Sequence, residues 1–308
     1  MTMFMHDLST SNSDIPSLLH KITDSPAGNL SDIILSSFAS RFPVILCLPS
    51  PMKRWCDDLR NSLGTVARNV LLGKEAAGMH TKLLNTLSLV LTSGQIIGIL
   101  FAGSETTANV ITECLYEMAR NPSIQRRLRT ELIDFEVTNG HKPAHEDLIN
   151  SSLPYLDAVT WETMRTKAVL TEISCVAAKD DIIPLQVPLK GTNIYEIKVQ
   201  AGTLIDIPVW DGINCNTLIW GEDADVFNPD RWINPDMLPK PKVCLGRPFA
   251  LVEFKTVVST IVRNFTFAEA EGIVLDFYHI GGNTIKPMVR GREKEGAQLP
   301  LKVGIVSE

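Results

Sequence analysis

A cysteine that opens a helix can be held as a thiolate, because the first turn leaves backbone N–H groups without intrahelical partners. The run Cys244-Leu245-Gly246-Arg247-Pro248-Phe249-Ala250 has this form, with a proline suited to a first helical turn. Gly246 removes the side chain that would collide with a flat macrocycle lying against the sulfur, and Ala250 is small one turn later. A cysteine that merely packs at a helix start requires none of these three together. A second set, Ala102-Gly103-Ser104-Glu105-Thr106-Thr107, puts an acid, hydroxyls and a glycine inside an apolar helical stretch, where all are poor choices for packing. Gly103 lets another surface approach the backbone, and Glu105 beside Thr106 could pass protons through water to a bound oxygen species. A polar bend in a core would use the same residues.

Glu162 and Arg165 are three apart, so on a helix they share a face and can meet. Such a pair on a surface is worth under about 1 kcal/mol and carries no function by itself. Phe227-Asn228-Pro229-Asp230-Arg231-Trp232 places an arginine between aromatics. If buried, Arg231 needs a partner, and Glu162 is the natural candidate. His141 and His145 are four apart, but Pro143 lies between them and no third ligand is in view, so they read as a polar loop.

These residues need elements to position them. Helical spacing recurs from Ser17 to Leu87, punctuated by Pro43, Pro49 and Pro51, with Phe42 to Leu46 read as a turn in the core or as a surface loop that dips into a membrane. A second helix runs from about Gln95 to Arg120, and a third follows Asn121-Pro122 to Phe135. Gly140 and Pro143 break the pattern, and Leu153-Pro154 opens the helix that carries Glu162 and Arg165. Short Ile/Val/Leu segments between Ile182 and Pro208, bounded by prolines and glycines, predict a small sheet. After a coil over 221–242, Pro248 to Phe265 returns to helical spacing, with Phe254, Val257, Val258, Ile261, Val262 and Phe265 on one face. Strands are expected near Ile285 to Val289 and Leu299 to Val306.

With 308 residues, 44% of them hydrophobic and 21% charged, the chain can bury a sizeable core. A net charge of −6 and the lack of a basic stripe argue against nucleic-acid binding. The six cysteines form no Cys-x-x-Cys pair and follow no secretory signal, a pattern suited to a reducing compartment. No apolar run approaches the roughly 20 residues of a membrane span. Phosphate-binding glycine loops, Gly-x-Ser-x-Gly elbows and EF-hand patterns are absent from the sequence.

In this order the four motifs resemble those of the cytochrome P-450 family, and the stretch from about Lys82 to Glu308 is similar to its fungal, microsomal-type members. Leu153 through Ala158, Lys179 through Leu185, and Ile213 through Gly221 add to the match. The resemblance implies a mainly α fold with small β-sheets: a partial family fold with a long central helix, a Glu-x-x-Arg helix, and a cysteine-ligand loop before a C-terminal helix. It implies a single domain over 1–308, with a shortened N-terminal helical part over 1–81 and a family-matching core over 82–308. By the same resemblance Cys244 ligates the iron of haem b, with Gly246, Ala250, Ala102 and Gly103 against the cofactor and Lys242 at a propionate. Glu105 and Thr106 match the acid-alcohol pair that protonates bound dioxygen, and Glu162, Arg165 and Arg231 match a structural Glu-Arg-Arg triad. The implied reaction inserts one oxygen atom from O2 into a lipophilic organic substrate, with electrons from an NADPH flavoprotein reductase. Relatives sit on the cytosolic face of the endoplasmic reticulum through an N-terminal anchor, for which this sequence shows no counterpart.

Several positions depart from the family pattern. Where relatives place Phe-x-x-Gly-x-Arg ahead of the ligand cysteine, this chain has Met237, Lys240 and Lys242. Lys242 keeps a positive charge but lacks the bidentate fork of an arginine. Arg231 and Cys244 are only 13 positions apart, as if a segment were skipped. After Arg165 the chain reads Thr166-Lys167-Ala168 instead of Leu-His-Pro, and no arginine stands near Cys175. The early strands and the Trp-x-x-x-Arg segment have no match. The departures define an alternative: a truncated, non-catalytic relative or incomplete gene product with impaired haem binding. Relatives that rearrange peroxides without external electrons often lack the acid-alcohol pair, so Glu105 and Thr106 weigh against that class.

Overall fold

The computed structural model describes residues 51–76, 86–233, 244, 246–279 and 285–306, together with 15, 17 and 18. The expected core turn at Phe42 to Leu46 and the residues Met237, Lys240 and Lys242 lie outside the described residues. Pro51 starts a helix, α1 (Pro51–Ala76), in keeping with the tolerance of a first turn for a residue without an N–H. Next comes α2 (Thr86–Arg120), 35 residues long, which begins about two and a half turns before the position expected from periodicity. Its Gly103 and its hydroxyl residues do not break it. Thr106 and Thr112 donate back to the carbonyls of Ala102 and Ala108, at 2.6 and 2.9 Å, so their hydroxyls are satisfied inside the helix.

Asn121 separates α2 from α3 (Pro122–Asn139), and Gly140 closes α3 in the left-handed conformation, φ 73°. The histidine loop continues into a one-turn helix, α4 (His145–Ile149), that the sequence reading did not include. Helix α5 (Pro154–Thr166) follows as expected. Its first turn receives a carboxylate from another helix: Glu131 of α3 accepts from the N–H groups of Tyr155 and Leu156 at 2.7 and 2.8 Å. Beyond a single π turn (Trp210–Asn214) and a one-turn helix, α6 (Thr217–Trp220), a 3-10 turn spans Pro229–Trp232. Helix α7 (Arg247–Asn264) begins three residues after Cys244.

The core lies where α2, α3, α5 and α7 meet. Met118 of α2, Leu128 of α3, Leu156 and Val159 of α5, and Phe254 and Val258 of α7 are all fully buried. Two buried polar side chains, Gln125 and Lys255, and the half-buried Arg129 fasten the helices. Gln125 donates to the carbonyls of Met118 and Phe267 and accepts from the N–H of Phe267. Lys255 joins α7 to Asp157 of α5 and to the carbonyl of Leu148 on α4. Arg129 takes the carbonyls of Val262 and Phe265 at the end of α7, 2.9 and 2.7 Å away.

Among the described residues the strands form four separate antiparallel pairs. β1 (Glu172–Val176) pairs with β4 (Leu204–Pro208), and β2 (Asp181–Pro184) with β3 (Glu196–Val199). β5 (Phe265–Glu269) pairs with β8 (Leu301–Ile305), and β6 (Leu275–His279) with β7 (Ile285–Val289). The single small sheet expected over 182–208 is therefore two ladders, one of which recruits a strand from before that region. Phe265, placed on the helical face by its spacing, instead starts β5 opposite Ile305. Arg129 and β8 decide this: one captures the orphan carbonyls of the helix end, the other supplies a ladder. Phe254 has no exposed surface, so Phe254→Ala should cost about 3–5 kcal/mol, read as a lowered midpoint in urea denaturation.

Candidate functional site

Helix α5 can carry its polar residues into the core because they are satisfied there. Thr160, Thr163 and Thr166 donate to carbonyls one turn back, at 2.6, 2.8 and 2.8 Å. Glu162 is fully buried and Arg165 nearly so. They form a two-pronged pair, with Arg165 Nε on Glu162 Oε2 at 2.8 Å and Nη2 on Oε1 at 2.7 Å. The carboxylate also accepts from the N–H of Asn228 at 2.8 Å and from the indole of Trp232 at 2.9 Å. Arg165 donates onward to the carbonyls of Asn214, Ala224 and Val226.

Arg231 completes the cluster from the 3-10 turn. Its Nε stands 3.5 Å from Glu162 Oε1, a charge contact rather than a short hydrogen bond. Its Nη atoms donate to the carbonyls of Trp220 and Asp223 and to the Asp223 carboxylate. The hydrogen bond from Arg231 holds the Asp223 carboxyl below the usual range. The structure thus brings Glu162, Arg165 and Arg231 together, and it binds the coil 214–232 to α5 largely through main-chain groups.

Three tryptophans wrap this cluster: Trp232 of the arginine motif, Trp220, and Trp161, which no motif contains. Trp232 lies 5.9 Å from Trp161 and 5.7 Å from Trp220, ring centre to ring centre, while Arg165 sits 4.9 Å from the Trp220 ring. Arg247, the first residue of α7, stacks on Trp161 at 4.8 Å. This contact ties the segment that follows Cys244 to the triad helix. The available signal was Trp161 beside Glu162 and Arg247 within the cysteine motif, but only the fold shows that they meet.

Cys244 is exposed, and its carbonyl accepts from the N–H of Arg247 at 3.3 Å. A Cβ added at Gly246 would meet the Cys244 sulfur at 3.8 Å, and one added at Gly103 would meet nothing within 4 Å. Phe249 is half exposed, Ala102 is exposed and Ala250 is partly so. One accessible thiol, open glycine positions and apolar neighbours fit an iron porphyrin held by a single thiolate. Among the described residues, no group of three or more His, Cys, Asp or Glu offers another metal site. His141 instead packs edge-on against Phe135.

On α2, Glu105 does not stand free. Its carboxylate pairs with Lys286 of β7 at 3.0 Å, and both side chains are largely buried. One, two and three turns on, at i+4 spacing, come Asn109, Glu113 and Glu117. Glu117 is paired with Lys167 at 2.9 Å and with Asn121 at 3.0 Å. Burial pushes the Glu113 carboxyl up to about 7, opposed by Lys167 and reinforced by Glu117.

A long helix with an acid-alcohol pair, a buried Glu-Arg-Arg cluster and an exposed cysteine before a helix define a haem-thiolate class of protein. The chain belongs to the cytochrome P450 family, whose profile matches residues 68–279. It is 36% identical over 255 residues to the cytochrome P450 monooxygenase claW of Ampulloclitocybe clavipes, covering 76% of this chain and 45% of that protein. Cytochrome P450 monooxygenase 128 of Postia placenta is 32% identical over 312 residues, covering 86% and 56%. The chain spans about half the length of the curated relatives it matches. With claP of A. clavipes the match runs over 346 positions at 30% identity, more than the 308 residues here, while covering 97% of this chain. That relative therefore carries internal residues with no counterpart in this sequence. Among the described residues, no helix is long and apolar enough to cross a membrane.

Two outcomes test this geometry. Arg165→Ala leaves the Glu162 carboxylate buried without its main partner and should cost about 3–5 kcal/mol in chemical denaturation. Glu113 has a folded value of about 7 against an ordinary 4.5, so over that interval the native state holds more protons than the unfolded chain. Stability should therefore fall as pH rises through that window. Glu113→Gln should abolish this dependence, gaining on the order of 3 kcal/mol relative to the wild type between about pH 4 and about pH 8. Unfolding curves measured across that range check the sign.

Proposed function

We propose that this chain forms the haem-thiolate centre of a monooxygenase that inserts one atom of O2 into a lipophilic organic substrate, with electrons from an NADPH flavoprotein reductase. The observation that carries the reading is the link between the buried Glu162 cluster and the segment bearing an exposed Cys244, made through the coil 214–232 and through Arg247 on Trp161.

In this reading Cys244 would hold the iron of haem b, Gly246, Ala250, Ala102 and Gly103 would leave room for its ring, and Lys242 would offer a positive charge to a propionate. Haem held there by a thiolate would supply oxygen activation. The chain's own task is to place and protect that centre. Glu162 and Arg165 fix the coil that leads to Cys244, and Arg231 locks its far end. Glu105 holds a proton-accepting carboxylate on α2, kept in place by Lys286, and the Thr106 hydroxyl one residue on carries a proton toward the oxygen side. By family resemblance the protein works at the cytosolic face of the endoplasmic reticulum.

A second reading, a relative that keeps the scaffold without turnover, is favoured by the internal residues that claP has and this chain lacks. It is also favoured by the substitutions Met237, Lys240 and Lys242 ahead of the cysteine. Carbon monoxide added to the reduced, haem-supplemented protein separates the two. A thiolate-type Soret band that disappears in Cys244→Ser is the expected result for the monooxygenase reading. Purified protein without haem would give the scaffold reading the lead.

A further inference from the structure

The buried face of α2 continues beyond Glu105 in a way the proposed reaction does not use. Glu105, Asn109, Glu113 and Glu117 follow one another at four-residue intervals, so their side chains lie on adjacent turns along one stripe. Lysines bind the two ends: Lys286 on Glu105 and Lys167 on Glu117. The β6–β7 hairpin lies along the same helix, with Phe277 5.2 Å from Tyr116 and Lys286 on Glu105.

The middle of the stripe is different in kind. Asn109 Nδ2 and Glu113 Oε2 are shielded from solvent, and neither has a hydrogen-bond partner among the described residues. Glu113 is only 6% exposed. One atom is a donor, the other belongs to a carboxyl, and they stand one helical turn apart. Leaving two such groups unsatisfied carries their full desolvation penalty, which a bridging molecule would remove. A small molecule that accepts from an amide and exchanges protons with a carboxyl is water.

We propose that Asn109 and Glu113 hold an internal file of water that connects Glu105 to the Lys167–Glu117 pair, and that Glu113 is the group that carries protons along it. This extension rests on the reading in which Glu105 serves proton delivery. In each passage the Glu113 O–H bond breaks, a proton shifts along the water file, and an O–H bond forms on the Glu105 carboxylate. The Glu113 carboxylate then takes a proton from bulk water at the Lys167 end, where the lysine is one-quarter exposed. No electron moves in these steps. Asn109 is a positioning residue that orients the water through its amide N–H. The charges that act on Glu113 are Lys167, which follows α5, and Glu117 on its own helix; burial outweighs the lysine and leaves the carboxyl able to exchange its proton near neutral pH.

Infrared spectroscopy of the full chain tests this without requiring turnover. A protonated, poorly hydrated carboxyl has a C=O stretch clear of the amide bands. The expected band titrates away with a midpoint near 7, shifts within the mixing time in D2O, and is missing from Glu113→Gln. Asn109→Leu should keep the band but slow its exchange in D2O. A wild-type protein with no such band at pH 6, or with a band that persists in Glu113→Gln, overturns the proposal. So does a band that fails to exchange, because the carboxyl would then be sealed from water. In the haem-loaded protein with reductase, Glu113→Gln should slow turnover about tenfold or more, with an enlarged solvent isotope effect and an unchanged carbon monoxide spectrum. If the loaded wild type does not turn over, the monooxygenase reading fails, while the infrared result still decides the water path.

Discussion

A carboxylate with no exposed surface cannot stay charged in a protein unless every lone pair is answered, and the arrangement around Glu162 follows from that requirement. Two hydrogen bonds come from Arg165, one from a backbone N–H and one from an indole. Each donor belongs to a segment that must be held in place: α5, the turn at Asn228, and Trp232 at the base of the aromatic cluster. Arg165 in turn uses its remaining donors on three main-chain carbonyls, so a segment with only single turns of helix is pinned along its length. The coil leads toward Cys244. A buried ion pair of this sort adds little net stability compared with an apolar core, and its value here is geometric.

The rest of the helical core uses the same device at smaller scale. Gln125, Arg129, Glu131 and Lys255 are polar groups that each bridge elements distant in sequence through main-chain atoms. They set how α3, α5 and α7 meet, while the leucines, valines and Phe254 supply the apolar burial. α2 runs through this assembly with one side in the core and another given to an acid-amide-acid-acid stripe.

Family membership and chain length bear differently on function. The profile match and the relatives in two fungi place the chain among cytochromes P450. α2, α5, the triad coil and α7, the elements to which the proposed reading assigns the two faces of the centre, are all among the described residues. The chain covers under half of claW, and the match with claP passes over internal residues that have no equivalent here.

Local chemistry was legible in the sequence wherever it depended on neighbours along the chain. The helices opened by Pro122 and Pro154, the stop at Gly140, the Glu162–Arg165 spacing and the cysteine–glycine–proline run all follow from rules that act over a few residues. The extent of α2 back to Thr86, the strand at Phe265 and the ladder begun at Glu172 did not, because a strand exists only when a partner far along the chain pairs with it. The same holds for the site. The triad candidates could be named from residue types, but the Trp161–Arg247 contact, the lysine on Glu105 and the unpaired groups of Asn109 and Glu113 are properties of packing. Residue types and local spacing specify which groups are available to do chemistry. Which of them are buried or paired is set by packing, because those states depend on the dielectric and the partners that other segments bring.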